Sequence, residues 1–191
     1  MRTLLSTYKL SDIFNFDETA FYYRRRAKYT VAPVNVEVDG VKLDKSRVTV
    51  GVAANADGTE RLPVLIIGSA NVPVPFRSQK HQIHWVGDKN RQPADPLFHY
   101  AYSAKAWMNS QIFESWLLEL DQRMAAENRT VVLILDNVSS HKVNGIRLTN
   151  VRVEFLPENT TAKLQPMDMG PIKAMKDAIY NMRDDYDESH G

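Results

Sequence analysis

The chain has 191 residues, of which 43% are hydrophobic and 25% charged, the ordinary make-up of one soluble globular domain with a real core. A formal net charge of +1 makes no global case for nucleic acid, and the absence of cysteine excludes disulfides and thiolate metal sites while fitting a reducing compartment. The opening Met-Arg-Thr-Leu-Leu-Ser lacks the apolar core of a signal peptide, and no apolar run approaches the ~20 residues a membrane span requires.

Residues 12–17 alternate polar and apolar and read as a first strand ending in Asp17-Glu18-Thr19. Phe21-Tyr22-Tyr23 leads into Arg24-Arg25-Arg26-Ala27-Lys28, the densest basic patch, and residues 29–38 are β-rich but interrupted by Pro33. Residues 45–55 form a second strand, 55–59 a turn in which Asp57 has a structural role, and 62–67 a third strand returning as an antiparallel hairpin. The stretch 68–104, broken by Pro73, Pro75, Pro93 and Pro96, reads as irregular; its His81, His84 and His99 show no metal-ligand spacing and read as ordinary loop histidines.

From about residue 103 the period changes. Trp107, Ile112, Phe113, Trp116, Leu117, Leu120 and Met124 mark one apolar face of a helix reaching about residue 127, with Asn109 placed to cap it and Trp107, Phe113 and Trp116 assigned to the core. Val131-Val132-Leu133-Ile134-Leu135 has no polar face and reads as a strand buried on both sides, ending in Asp136-Asn137 and then Ser139-Ser140-His141. Residues 142–150 have room for a short helix, 151–157 alternate as a further strand and 158–161 form a loop. Gln165 to Pro171 opens a last helix with Ile172, Met175, Ile179 and Met182 along one face. The expected organisation is a lead-in over 1–10, one domain over 11–183 and an acidic flexible tail over 184–191. Hairpin strands followed by helix, strand, strand and helix predict an α/β mixed sheet with helices on its faces.

Asp17, Asp136 and Asp168 each close a predicted strand or open a helix that follows one. If the first and fourth strands are neighbours, Asp17 and Asp136 meet at one end of the sheet, and Asp168 is far enough downstream to return there. Converging carboxylates ~4 Å apart repel strongly and need cations between them. Hard Mg²⁺ or Mn²⁺ suits them, and a pair of such ions can clamp both oxygens of a phosphodiester under attack. Asp136 read alone serves equally as a turn or cap residue, and Glu154 and Asp177 are runners-up for the third acid. Glu18, on the opposite face from Asp17, reads as a surface or supporting residue. Asn137 and His141 either steady a metal site or contact DNA, or merely form a turn and flank a helix. Arg24, Arg25, Arg26 and Lys28 either hold phosphates or form a solvated hairpin face.

Asn15-Phe16-Asp17-Glu18-Thr19, Arg47-Val-Thr-Val with Ala54-Asn55-Ala56-Asp57-Gly58, Pro63-Val-Leu-Ile-Ile-Gly68, Lys105-Ala-Trp-Met108 and Phe113-Glu-Ser-Trp-Leu117 occur in this order. Leu135-Asp-Asn137 with His141, Leu156-Pro157 and Leu164-Gln-Pro-Met-Asp-Met-Gly170 follow. Together, over roughly residues 11–180, they resemble the DDE-type transposase domain of the pogo/Tigger group, a domain shared with jerky-type proteins and centromere protein B. The resemblance implies an RNase H-like fold with acids on the first strand, the fourth strand and a late helix, here Asp17, Asp136 and Asp168. It implies Mg²⁺- or Mn²⁺-dependent nicking of transposon ends and strand transfer by the freed 3′-hydroxyl. It also implies helix-turn-helix segments ahead of the domain, a nuclear setting, and DNA as partner, with a homodimer as a further candidate partner and no membrane. A domesticated, non-catalytic DNA- or partner-binding module is the alternative, and an RNase H-type nuclease for RNA–DNA hybrids a third.

Overall fold

The computed structural model describes residues 5–23, 46–78, 82–93, 96–142, 145–157, 166–167 and 170–190. Among the described residues seven strands build one sheet: β1 (Ile13–Phe21), β2 (Val48–Asn55), β3 (Leu65–Gly68), β4 (Ile83–Trp85), β5 (Phe98–Tyr102), β6 (Val131–Leu135) and β7 (Val151–Phe155). Their order across the sheet is β4-β5-β3-β2-β1-β6-β7. β2 runs antiparallel to both its neighbours and every other pairing is parallel, so all strands except β2 end on the same side of the sheet. The β2–β3 hairpin and the β1–β6 neighbourhood are as the sequence predicts. At the β2–β3 side, Asp57 Oδ1 accepts from the Thr59 amide at 3.0 Å and the Thr59 hydroxyl at 2.6 Å, its expected turn role.

Helix α1 (Ser110–Ala126) follows from a 3.6-residue apolar period and a cap. Asn109 sits in extended conformation and its side chain accepts from the Ile112 amide at 2.9 Å, satisfying a donor that the first turn leaves open. The buried stripe Ile112, Phe113, Trp116, Leu117, Leu120 and Met124 packs on Phe14, Phe16, Leu65, Ile67, Leu133 and Leu135 of the sheet. Each such side chain contributes roughly 1.5–3 kcal/mol when taken from water. Trp107 does not belong to this stripe: it precedes the cap, is 58% exposed, and carries the Arg47 guanidinium 4.4 Å from its ring centroid.

All five residues of β6 are buried, as an unbroken aliphatic run on a strand covered on both faces must be. Leu133 and Leu135 face α1, while Val132 and Ile134 join Ile13, Leu156, Leu5 and Tyr8 on the other side.

The stretch 68–104 is not irregular, since β4 and β5 lie in it. A three-residue strand has no period to detect, and prolines separate the two. The pair is held by a separate cluster of Ile83, Trp85 and Tyr100 with Ile66, Val72, Phe76 and Phe98. Two extra strands mean that Asp136 follows the sixth of the described strands rather than the fourth strand counted from the sequence. Nor do the described residues of 142–150 form a helix. Here the amides of Thr149, Asn150 and Val151 bond the buried Asp121 carboxylate of α1.

The last helix, α2 (Pro171–His190), continues past residue 183. Of its predicted apolar face, Ile172 is buried, Met175 and Ile179 are half-buried, and Met182 is 69% exposed. Among the described residues no helix is long and apolar enough to cross a membrane. The β-rich stretch 29–38 and the loop 158–161 lie outside the described residues.

Candidate active site

β1 and β6 pair in parallel with Asn15 opposite Ile134. Carrying that register two residues further brings Asp136, just past the end of β6, level with Asp17 on β1. Alternation along β1 sends Asn15, Asp17, Thr19 and Phe21 to one face and Phe16 and Glu18 to the other. Asp17 is only 7% exposed, and its Oδ1 accepts from the Glu18 amide at 2.8 Å. The face that carries Asp17 is also the face that meets α2. Asn15 donates through Nδ2 to the Ile134 carbonyl at 3.0 Å, and its Oδ1 accepts from the Met167 amide at 3.1 Å. Six residues along the strand, Phe21 stacks on Tyr180 of α2 with ring centroids 5.0 Å apart. Asp17 lies between these two anchor points.

Glu18 goes to the α1 face, as the alternation predicts, and there it meets His141. The imidazole is wholly buried, with Nε2 at 3.0 Å from the Glu18 carboxylate and Nδ1 at 2.7 Å from Asp136 Oδ1. His141 Nδ1 also lies 3.3 Å from the Asp136 carbonyl oxygen. Burial alone would push this imidazole down, but the Asp136 and Glu18 carboxylates outweigh it and lift it to about 10. Both ring nitrogens of His141 thus face carboxylates. Phe113 and Phe16 pack beside it, at 4.7 and 6.0 Å between centroids, and exclude water. Asp136 Oδ1 is buried, and its close contact is the 2.7 Å ion pair with His141 Nδ1, which does not meet hydrogen-bond geometry.

The described structure thus brings together Asp136, Glu18 and His141, with one ligand atom of each within 4.8 Å of the others; Asp17 lies two residues beyond Asn15, the last residue of β1 paired with β6. Glu18 is the residue that sequence reasoning underweighted. Its spacing gave the correct face, but its partner became visible only through the β1–β6 pairing and the 3-10 turn Ser139–His141. Asp168, Arg24, Arg25, Arg26, Lys28 and His81 lie outside the described residues. Asn137 is exposed immediately after Asp136. Toward the strand ends, Thr49 pairs with Ala20, three residues beyond Asp17, and its hydroxyl donates to the Ala106 carbonyl at 2.6 Å. This places the exposed Trp107 and the half-buried Arg47 over it on the same side of the sheet as the acids' strand ends. The spacing of Trp107 imitates a core period and hid this.

A family model described as DDE superfamily endonuclease matches residues 45–186. The CENP-B homolog protein 2 of Schizosaccharomyces pombe is 34% identical over 183 residues, covering 92% of this chain and 33% of that protein. The Tigger transposable element-derived protein 4 of Mus musculus is 31% identical over 173 residues, covering 90% of this chain and 31% of that protein. The chain therefore spans about a third of the length of these curated relatives. Among solved structures, a Mos1 transposase paired-end complex with the left transposon end superposes with a TM-score of 0.50 at 15% identity, over 98% of this chain and 51% of that one. The mixed sheet is RNase H-like, and the chain belongs to the DDE superfamily endonucleases.

Proposed function

We propose that this domain is a transposase-type DNA endonuclease and strand transferase whose Asp17, Asp136 and Asp168 hold two divalent ions, Mg²⁺ or Mn²⁺. The observation that carries this reading is the parallel β1–β6 pairing, which ends at Asn15 opposite Ile134; continued two residues, it would bring Asp136, just past β6, level with Asp17. The donor set fits the ions. Asp17 is a nearly buried carboxylate, and Asp136, whose Oδ1 lies 2.7 Å from His141 Nδ1, has a second oxygen to offer; both are hard ligands. Support for Asp168 comes from its chain neighbour. The Met167 amide is tied to Asn15, two residues from Asp17 on the same face, and α2 continues along that face to Tyr180.

When bound, such ions polarise the scissile phosphodiester and activate the attacking oxygen. The chain's own part is positioning. His141 holds the Asp136 carboxylate from behind and is itself fixed by Glu18, so the carboxylate cannot swing away. Phe16 and Phe113 keep that contact dry. Arg24, Arg25, Arg26 and Lys28 follow β1 in the chain and are suited to sequence-blind phosphate contacts, with Asn137 a further candidate beside Asp136. DNA as partner, a homodimer and a nuclear setting follow from the family reading.

The test is nicking of a labelled duplex in Mn²⁺ by the wild type and by Asp136→Asn. The reading expects cleavage by the wild type and a loss of at least about 100-fold in the variant. Equal activity overturns it. Duplex binding without cleavage or divalent uptake identifies a non-catalytic binding module instead, and cleavage confined to RNA–DNA hybrids identifies an RNase H-type nuclease.

A further inference from the structure

A second cluster of ligand-type side chains lies across the sheet from the acids. The strand registers form one continuous row in which Glu18 faces Gly51, Gly51 faces Leu65, Leu65 faces His99 and His99 faces His84. His99 is thus three strands from Glu18, roughly 14 Å at ordinary strand spacing. His84 and His99 are register partners on adjacent parallel strands, so their side chains leave the same face. The rings stack with centroids 4.2 Å apart and 23° between planes. Glu119 reaches them from α1: one carboxylate oxygen is 2.9 Å from His84 Nε2 and the other accepts from the Gly87 amide at 2.8 Å. One ligand atom of each residue lies within 4.8 Å of the others, and all three residues are half-buried. The His84–Glu119 ion pair leaves two features without a cause. Two imidazoles are stacked face to face, and His99 Nδ1 is buried with no hydrogen-bond partner.

We infer that His84, His99 and Glu119 form a binding site for a single Zn²⁺-class ion, separate from the proposed catalytic acids. Two imidazole nitrogens and one carboxylate oxygen suit a borderline transition-metal ion, whereas Mg²⁺ prefers oxygen alone. Ligand atoms sharing one tetrahedral ion lie roughly 3.3 Å apart by its bond lengths, so the three atoms, now within 4.8 Å of one another, draw together and the stacked rings splay on binding. The Gly87 amide already orients Glu119 as an outer partner of a metal ligand does. The fourth position faces a cleft of about 490 Å³ lined by Pro63, Pro93, Pro96, Trp116, Leu120 and Arg123, open to a water. Such an ion fastens the three-residue edge strand β4 to β5 and α1. Arg123, the nearest cation in that cleft, is turned to Glu60 and Glu127 at 2.9 Å each.

The experiment titrates the metal-stripped protein with Zn²⁺ by calorimetry and with Co²⁺ by visible absorption, in four forms: wild type, Asp17→Asn/Asp136→Asn, His99→Ala and Glu119→Gln. The first two forms are expected to take up one tight ion with the absorption of four-coordinate Co²⁺, so the result is independent of the catalytic reading. His99→Ala and Glu119→Gln are expected to weaken that uptake at least tenfold. Glu119→Gln keeps the side-chain shape and the acceptor for Gly87, which covers a folding failure of His99→Ala. No tight uptake by the wild type, or uptake unchanged in Glu119→Gln or in a folded His99→Ala, overturns the proposal. So does uptake that disappears with the Asp17/Asp136 pair.

Discussion

Asp121 is 7% exposed on α1, yet its carboxylate accepts from four donors on the segment entering β7. Oδ1 is 2.7 Å from the Asn150 amide, 2.8 Å from the Val151 amide and 3.1 Å from the Thr149 amide; Oδ2 is 3.0 Å from the Thr149 hydroxyl. Hydrogen bonds to a charged acceptor contribute about 1.5–3 kcal/mol each, and a buried donor left without one costs about 1–3 kcal/mol. In Asp121→Ala water can reach the exposed Thr149, while the Val151 amide is buried with its strand, so the expected loss is about 2–4 kcal/mol. Asp121→Asn keeps one oxygen for Asn150 and Val151 but turns an NH₂ toward Thr149, and about 1–2 kcal/mol is expected. The pH dependence follows in sign. Burial raises the Asp121 carboxyl, but the amides of Asn150, Thr149 and Val151 and the Thr149 hydroxyl outweigh it and hold it below the usual carboxylate range. A group with a depressed folded value stabilises the protein above its unfolded value of about 4 and ceases to do so as pH falls through the folded value. Urea unfolding at pH 7 and at successively lower pH measures both effects. A variant within about 0.5 kcal/mol of wild type at pH 7, or a gap that does not narrow below about pH 4, refutes the reasoning.

Other consequences are as specific. A Cβ on Gly51 would meet the Phe16 ring at 2.9 Å, and that ring is wedged 4.4 Å from Trp116, so Gly51→Ala should lose about 1–3 kcal/mol in denaturant unfolding. On the family reading, the exposed Trp107, with Arg47 over its ring, is placed to meet the nucleic acid. Trp107→Ala should weaken duplex binding several-fold in a fluorescence titration while leaving the unfolding midpoint within about a degree; unchanged binding would remove it from the interface.

The parts of the fold written in local pattern were legible. Five aliphatics in a row announced β6, a three-and-four period with Asn109 announced α1, and Asn-Ala-Asp-Gly announced the hairpin turn. What was not legible depends on pairing across long separations. β4 and β5 are too short to show a period, and His84 and His99 become a pair only once their strands are in register. Trp107 fits the helical spacing but falls ahead of the cap, where the chain turns it outward. The same limit governs the acids. Alternation separates Asp17 from Glu18, but only the folded chain shows Glu18 reaching Asp136 through His141 on the α1 face, while the β1–β6 register, carried past its last pair, would leave Asp17 on the other.

That two-sided arrangement makes the ligand set the point on which the account rests. The direct measurement is Mn²⁺ binding by calorimetry to Asp17→Asn and to Glu18→Gln. The account predicts that Asp17→Asn abolishes binding at the acidic site, while Glu18→Gln retains it with affinity reduced tenfold or less, as for a residue acting through His141. Binding retained in Asp17→Asn and abolished in Glu18→Gln would contradict it and move the ion to the Glu18–Asp136–His141 side of the sheet.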